Sequence, residues 1–80
     1  MSDIQSKLGA FIAEKIMKQP GRAIKPDESL IKSGKIDSFS LVDVGLFIED
    51  TFNLRIDDVY LTADLMDTLE LMEKAIVSRQ

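Results

Sequence analysis

The sequence predicts an all-α domain over residues 1–80, with three main helices, one short helical turn and a long first loop. Three observations carry this prediction. Apolar residues recur at helical spacing in three separate stretches. Capping-box patterns stand at the head of the first and last of them. The one stretch that could alternate as a strand, through Ile56, Val59 and Leu61, has Asp57-Asp58 in its interior, a poor strand sequence. A chain of this length buries only ~60% of the surface it exposes when unfolded, so it holds one small core and no second domain.

The first helix is expected from Ser2 to Lys18. Ile4, Leu8, Phe11, Ile12 and Ile16 fall on one stripe, and Ser2 with Gln5 fits a capping box that satisfies backbone donors at the helix start. Lys15 and Lys18 suit the negative end of the helix dipole, and Pro20-Gly21 stops the helix. The connection over 19–37 is long for a compact domain. Ile24, Leu30, Ile31 and Ile36 anchor it across the helices, while Pro26-Asp27-Glu28-Ser29 and Ser33-Gly34-Lys35 read as turns. A second helix follows from Ser38 to about Phe52, with Asn53 as its stop. A short helical turn is read near Asp58–Leu61. The last helix begins at Asp67, where Asp67-Thr68-Leu69-Glu70 has capping-box spacing, and its apolar face is Leu69, Met72, Ala75 and Ile76. Met17, Met66 and Met72 read as core gap-fillers. Lys32 and Lys35 read as solvated loop charges, and Tyr60 as a packed ring with a wet hydroxyl.

Composition narrows the function. The chain has no cysteine and no histidine, which excludes disulfides, thiolate zinc sites, cysteine nucleophiles and Ser/His triads. No carboxylate pair stands out with a pocket around it, so the expectation is a protein that is not itself an enzyme and holds no metal. A net charge of −4 argues against nucleic acid and suits basic partners. No apolar run approaches the ~20 residues needed to span a membrane. The start, MSDIQSKLGAF, lacks a signal-peptide pattern. A cytoplasmic monomer without membrane insertion is therefore expected.

The second helix has more apolar surface than a core needs. Leu41, Val44, Gly45, Ile48 and Phe52 gather on one side. Phe39, Val42 and Leu46 form another stripe, flanked by Glu49 on one side and by Asp43 and Asp50 on the other. A helix apolar nearly all round is either buried or covered by another surface. The stripe either packs under the long loop or forms an exposed docking face whose acidic rim steers a partner. A mixture, with Phe39 partly covered, is the expected outcome.

Ser38 stands at the head of that helix, where a serine ordinarily caps a free backbone N–H. The string around it says more. Gly34-Lys35-Ile36-Asp37-Ser38-Phe39-Ser40-Leu41 resembles the phosphopantetheine attachment signature of acyl carrier proteins, in which a Gly and a short apolar step precede Asp-Ser-Leu at a helix start. Phe39 stands in the place of the Leu. Leu30 resembles the family's loop anchor, Asp43, Glu49 and Asp50 its acidic helix, and Phe52-Asn53-Leu54-Arg55-Ile56 its helix end and return. With the last helix, the resemblance covers essentially the whole chain. Two departures stand out. Gly45 replaces a bulky apolar residue, leaving a gap that either holds an acyl chain or is filled by a neighbour such as Phe11. The run Leu61-Thr62-Ala63-Asp64-Leu65-Met66-Asp67 is closer to stand-alone carriers of specialised pathways, D-alanyl carriers included, than to a fatty-acid-type pattern.

The resemblance implies an acyl-carrier-like four-helix bundle bearing 4′-phosphopantetheine, drawn from coenzyme A, on Ser38. It implies that Asp37 contacts the modifying transferase and its divalent metal, with a solvated loop carboxylate as the plainer reading. It implies a partner face of Phe39, Val42, Asp43, Leu46, Glu49 and Asp50. The partners would be a phosphopantetheinyl transferase and acyl-loading and acyl-processing enzymes with basic docking surfaces. The pathway (fatty acid, other lipid, polyketide or D-alanylation) stays open. So do two alternatives: an aminoacyl, D-alanyl or peptidyl carrier, and an unmodified helical protein-interaction module.

Overall fold

The structure, a computed structural model, describes residues 3–79 and is helical, with no strand among those residues. Helix α1 spans Asp3–Phe11 and runs on as a π-helical turn over Ile12–Ile16. Ser2, the expected cap, lies outside the described residues. Its expected partner Gln5 is buried and donates Nε2 to Glu73 Oε1 at 2.6 Å on the last helix. The wide turn shows in the hydrogen bonds: Met17 N–H reaches Ile12 O at 2.8 Å and Gln19 N–H reaches Ala13 O at 2.7 Å. Lys18 then takes a left-handed conformation, φ 59°, and the helix ends there, two residues before Pro20.

The long loop is packed, as its anchors require. Ile24, Leu30 and Ile36 are buried and Ile31 is half-buried. Gly34, at φ 82°, makes the turn that returns Gly34 N–H to Ile31 O at 3.0 Å. Lys32 and Lys35 are exposed, as expected, and each also pairs with an acid: Lys32 with Asp64 at 3.0 Å and Lys35 with Glu28 at 2.8 Å. Glu28 also receives Arg22 at 2.9 Å.

Helix α2 spans Ser40–Phe52, opening two residues later than expected because the chain at Ser38 and Phe39 is still a tight turn. Asn53, in the left-handed region at φ 54°, ends it. The expected short turn is a 3-10 helix, Asp58–Tyr60. A further short helix that the sequence did not announce, α3, covers Ala63–Met66, and α4 covers Leu69–Arg79. Leu8 and Ile12, Leu30, Leu41, Val44 and Ile48, and Met66, Leu69, Met72 and Ile76 are wholly shielded in one core. Met66 and Met72 fill it as expected, while Met17 is only half-buried at its edge. Helix α1 meets α2 through stacked rings of Phe11 and Phe47, 4.3 Å apart. It meets α4 where Gly9 lets Leu69 approach.

Candidate functional site at the head and outer face of the second helix

The site begins with a turn that the residues build themselves. Ser40 N–H donates to the carbonyl of Asp37 at 3.1 Å and to its Oδ1 at 3.2 Å. Leu41 and Val42 donate in the same tight fashion to Ser38 and Phe39, at 3.2 Å each. Asp37 is therefore the capping residue. This corrects the ordinary reading of Ser38 as the cap, and also that of Asp37 as a merely solvated carboxylate. With the cap supplied by its neighbour, the Ser38 side chain is left exposed, its hydroxyl without a hydrogen-bond partner among the described residues. The nearby serines differ. Ser33 Oγ donates to Ser29 O at 2.6 Å, and Ser40 is half-buried in the first turn of the helix. Chemically, Ser38 offers an accessible hydroxyl at the positive end of a thirteen-residue helix, where an attached anion is favoured. The chain has no histidine to activate that hydroxyl.

Beside Ser38 runs the apolar stripe. Phe39 is 85% exposed, Leu46 60% and Val42 56%. The long loop does not cover them, and Phe39, expected to be partly covered, is the most exposed of the three. Asp43 and Asp50 border the stripe in solvent. Glu49 does not join them freely: its Oε2 accepts Ile56 N–H at 3.0 Å and pins the return of the chain. On that side the exposed acid facing Val42 and Leu46 is Asp58, which the ambiguity of its segment concealed. Val59, 71% exposed on the same 3-10 turn, was hidden for the same reason.

Gly45 faces inward between these features. A Cβ there would lie 3.2 and 3.3 Å from the two methyl carbons of Leu61, so Leu61 fills the gap and Phe11 does not. Phe11 is engaged with Phe47 on the other side of α2.

The loop that presents Asp37 is held from below by Asp67, which is buried. Its Oδ1 accepts the N–H groups of Ile31 and Lys32, both at 2.8 Å, and its Oδ2 accepts Ser29 Oγ at 2.7 Å. The expected cap of α4 is thus a loop latch, and Thr68 caps instead, its Oγ1 accepting Leu71 N–H at 3.1 Å. Burial pushes the Asp67 carboxyl up. The bonds from Lys32 N–H, Ser29 Oγ and Ile31 N–H, with the Lys32 charge, outweigh it and hold the group below its ordinary value. Glu28, higher in the same loop, is lowered to about 2, first by Lys35 and then by Lys25 N–H, against some desolvation.

Comparison with protein-family models, curated proteins and solved structures finds no match to the chain. Among the described residues, no helix is long and apolar enough to cross a membrane.

Proposed function

We propose that the chain is a carrier protein of the acyl-carrier-like, four-helix type, modified on Ser38 and docked through the outer face of α2. The observation that carries the reading is the Asp37-Ser38-Phe39 turn: Asp37 caps the helix, which leaves the Ser38 hydroxyl exposed at a helix N-terminus beside an uncovered apolar stripe. The resemblance of the string Gly34 to Leu41 to a phosphopantetheine attachment signature supports the same residue.

In this reading Ser38 Oγ attacks the phosphorus of coenzyme A that bears the pantetheine arm. The pyrophosphate bond breaks, the nucleoside bisphosphate leaves with the bonding pair, and the serine proton passes to a base on the transferase. The attached group supplies a terminal thiol that holds an acyl or aminoacyl cargo as a thioester. The protein's own part is to seat the new phosphodiester at the α2 N-terminus, where helix N–H groups and the dipole favour negative charge. Its other part is to offer Phe39, Val42 and Leu46 as an apolar contact, with Asp43 and Asp50 steering basic partner surfaces. Tethering raises the effective concentration of the cargo at any enzyme that docks. The same lack of thiol and imidazole in the chain suits a protein that carries chemistry rather than performing it.

Incubation with coenzyme A, Mg²⁺ and a broad-specificity phosphopantetheinyl transferase should add one phosphopantetheine by intact mass. Ser38→Ala should abolish the addition with folding retained. Addition at Ser33 or Ser40 would refute the assignment. No addition at all would favour a second reading, an unmodified helical interaction module, which rests on the exposure of Phe39.

A further inference from the structure

The contact between Leu61 and Gly45 bears on what such a carrier can carry, and this inference rests on the carrier reading above. Gly45 is the one position where the inward face of α2 lacks a side chain. The isobutyl group of Leu61 lies against it, its methyl carbons 3.2 and 3.3 Å from where a Cβ would stand. The neighbouring inward residues Leu41, Val44 and Ile48 are wholly shielded. The space left open beside Leu61 is about 100 Å³, against the ~300–1,000 Å³ of ordinary ligand pockets. The place under α2 where an acyl chain could shelter is therefore occupied by the protein's own side chain. The backbone bringing Leu61 there is secured at two points. Leu61 N–H donates to Asp58 O at 2.9 Å, and Glu49 holds Ile56 N–H at 3.0 Å.

We propose that Leu61 is a plug that bars long acyl chains from the space beneath α2, and that the cargo is a short or polar acyl group, acetyl to aminoacyl in size, carried in solvent. Three considerations support this. An entering chain must first expose the isobutyl group it displaces, so its leading methylenes only replace apolar burial already present. A polar end group pushed into that place would lose its water and gain no partner. The larger hollow between α1 and α2, about 450 Å³, is lined by Lys15, Asp43 and Asp50 as well as by Phe11 and Leu46, and offers no dry cover.

The test needs no transferase. The chain has no cysteine, so Ser38→Cys supplies a single thiol. It is alkylated with an iodoacetamide on a pantetheine-length tether that ends in either an acetyl or an octanoyl group. With Leu61 present, the two adducts should melt at the same temperature. With Leu61→Ala, the octanoyl adduct should melt about 4 °C or more above the acetyl adduct, as expected when buried chain adds stability to a domain of this size. A higher melting temperature for the octanoyl adduct with Leu61 present would overturn the proposal. So would equal melting of the two Leu61→Ala adducts. Should Leu61→Ala not fold, the pair with Leu61 intact still decides whether a long chain is taken up. Failure of enzymatic loading at Ser38 would overturn the carrier reading alone; uptake of the octanoyl chain would overturn the plug alone.

Discussion

Two helices of this protein open on an acid followed by a hydroxyl residue, Asp37-Ser38 before α2 and Asp67-Thr68 before α4, and the two pairs divide their work in opposite ways. Before α4 the hydroxyl caps: Thr68 Oγ1 takes Leu71 N–H, and Asp67 is released to bind the long loop through three bonds of 2.7–2.8 Å. Before α2 the acid caps: Asp37 takes Ser40 N–H at 3.2 Å, and Ser38 is released to solvent. The partner not needed for the cap acquires the more distinctive role in each case. A buried carboxylate among N–H donors becomes structural, and a hydroxyl without a hydrogen-bond partner among the described residues is left exposed to solvent.

The comparison breaks most sharply at Asp67. Asp67→Ala strands the N–H groups of Ile31 and Lys32 and the Ser29 hydroxyl, and should cost about 3 kcal/mol in chemical denaturation. A loss no larger than that of Asp37→Ala would show the two acids to be equivalent.

Acid should expose the same loop. Both Asp67 and Glu28 have folded-state values below their ordinary ones, so each contributes stability that is complete above its unfolded value and is lost as pH falls through the folded one. For Glu28 that window runs from 4.5 down to about 2. Denaturation midpoints should fall across it, and Glu28→Gln should flatten the fall. An unchanged slope would remove Glu28 from the loop's support.

The two caps provide the next test. Thr68→Ala and Asp37→Ala should each cost ~1 kcal/mol, the usual value of a lost N-cap. A silent Asp37→Ala would return the capping role to Ser38 and erase the contrast.

A smaller effect tests the open side as a docking face. Asp43→Lys should slow loading of Ser38 by about fivefold, equivalent to ~1 kcal/mol, as for a rim contact. Added salt should slow the parent protein and narrow the gap, because rim charges are screened over ~8 Å at physiological salt. Glu14→Lys, on the π-helical turn of the first helix, is the control. Equal slowing by both would make net charge the cause rather than a located surface.

The smallest effect is expected at Ser38 itself. Ser38→Ala should change folding stability by less than ~0.5 kcal/mol, as for a surface residue without structural bonds. A loss like that of Thr68→Ala would mean that both hydroxyls cap and that the division of roles is absent.

Much of the architecture was legible without the fold. The 3.6-residue spacing marked the three main helices because each must bury one face, and that requirement is written in local order. Ile24, Leu30 and Ile36 marked a loop that packs, for the same reason. The surplus stripe of Phe39, Val42 and Leu46 was also visible, since a core can use only one side of a helix. The sequence by itself therefore determined the three main helices, the anchored loop and the serine at a helix head. Tertiary structure alone decided which residue of each Asp-hydroxyl pair caps, because the choice depends on what lies within reach of the carboxylate. At Asp67 the loop's N–H groups, more than thirty residues away in the chain, arrive to claim it. At Asp37 no distant group among the described residues bonds the carboxylate, and the acid turns to its own helix. The meeting of Leu61 with Gly45 and the capture of Ile56 N–H by Glu49, though nearer in the chain, were hidden too, because they are set by how α2 and its return segment pack and not by any local pattern.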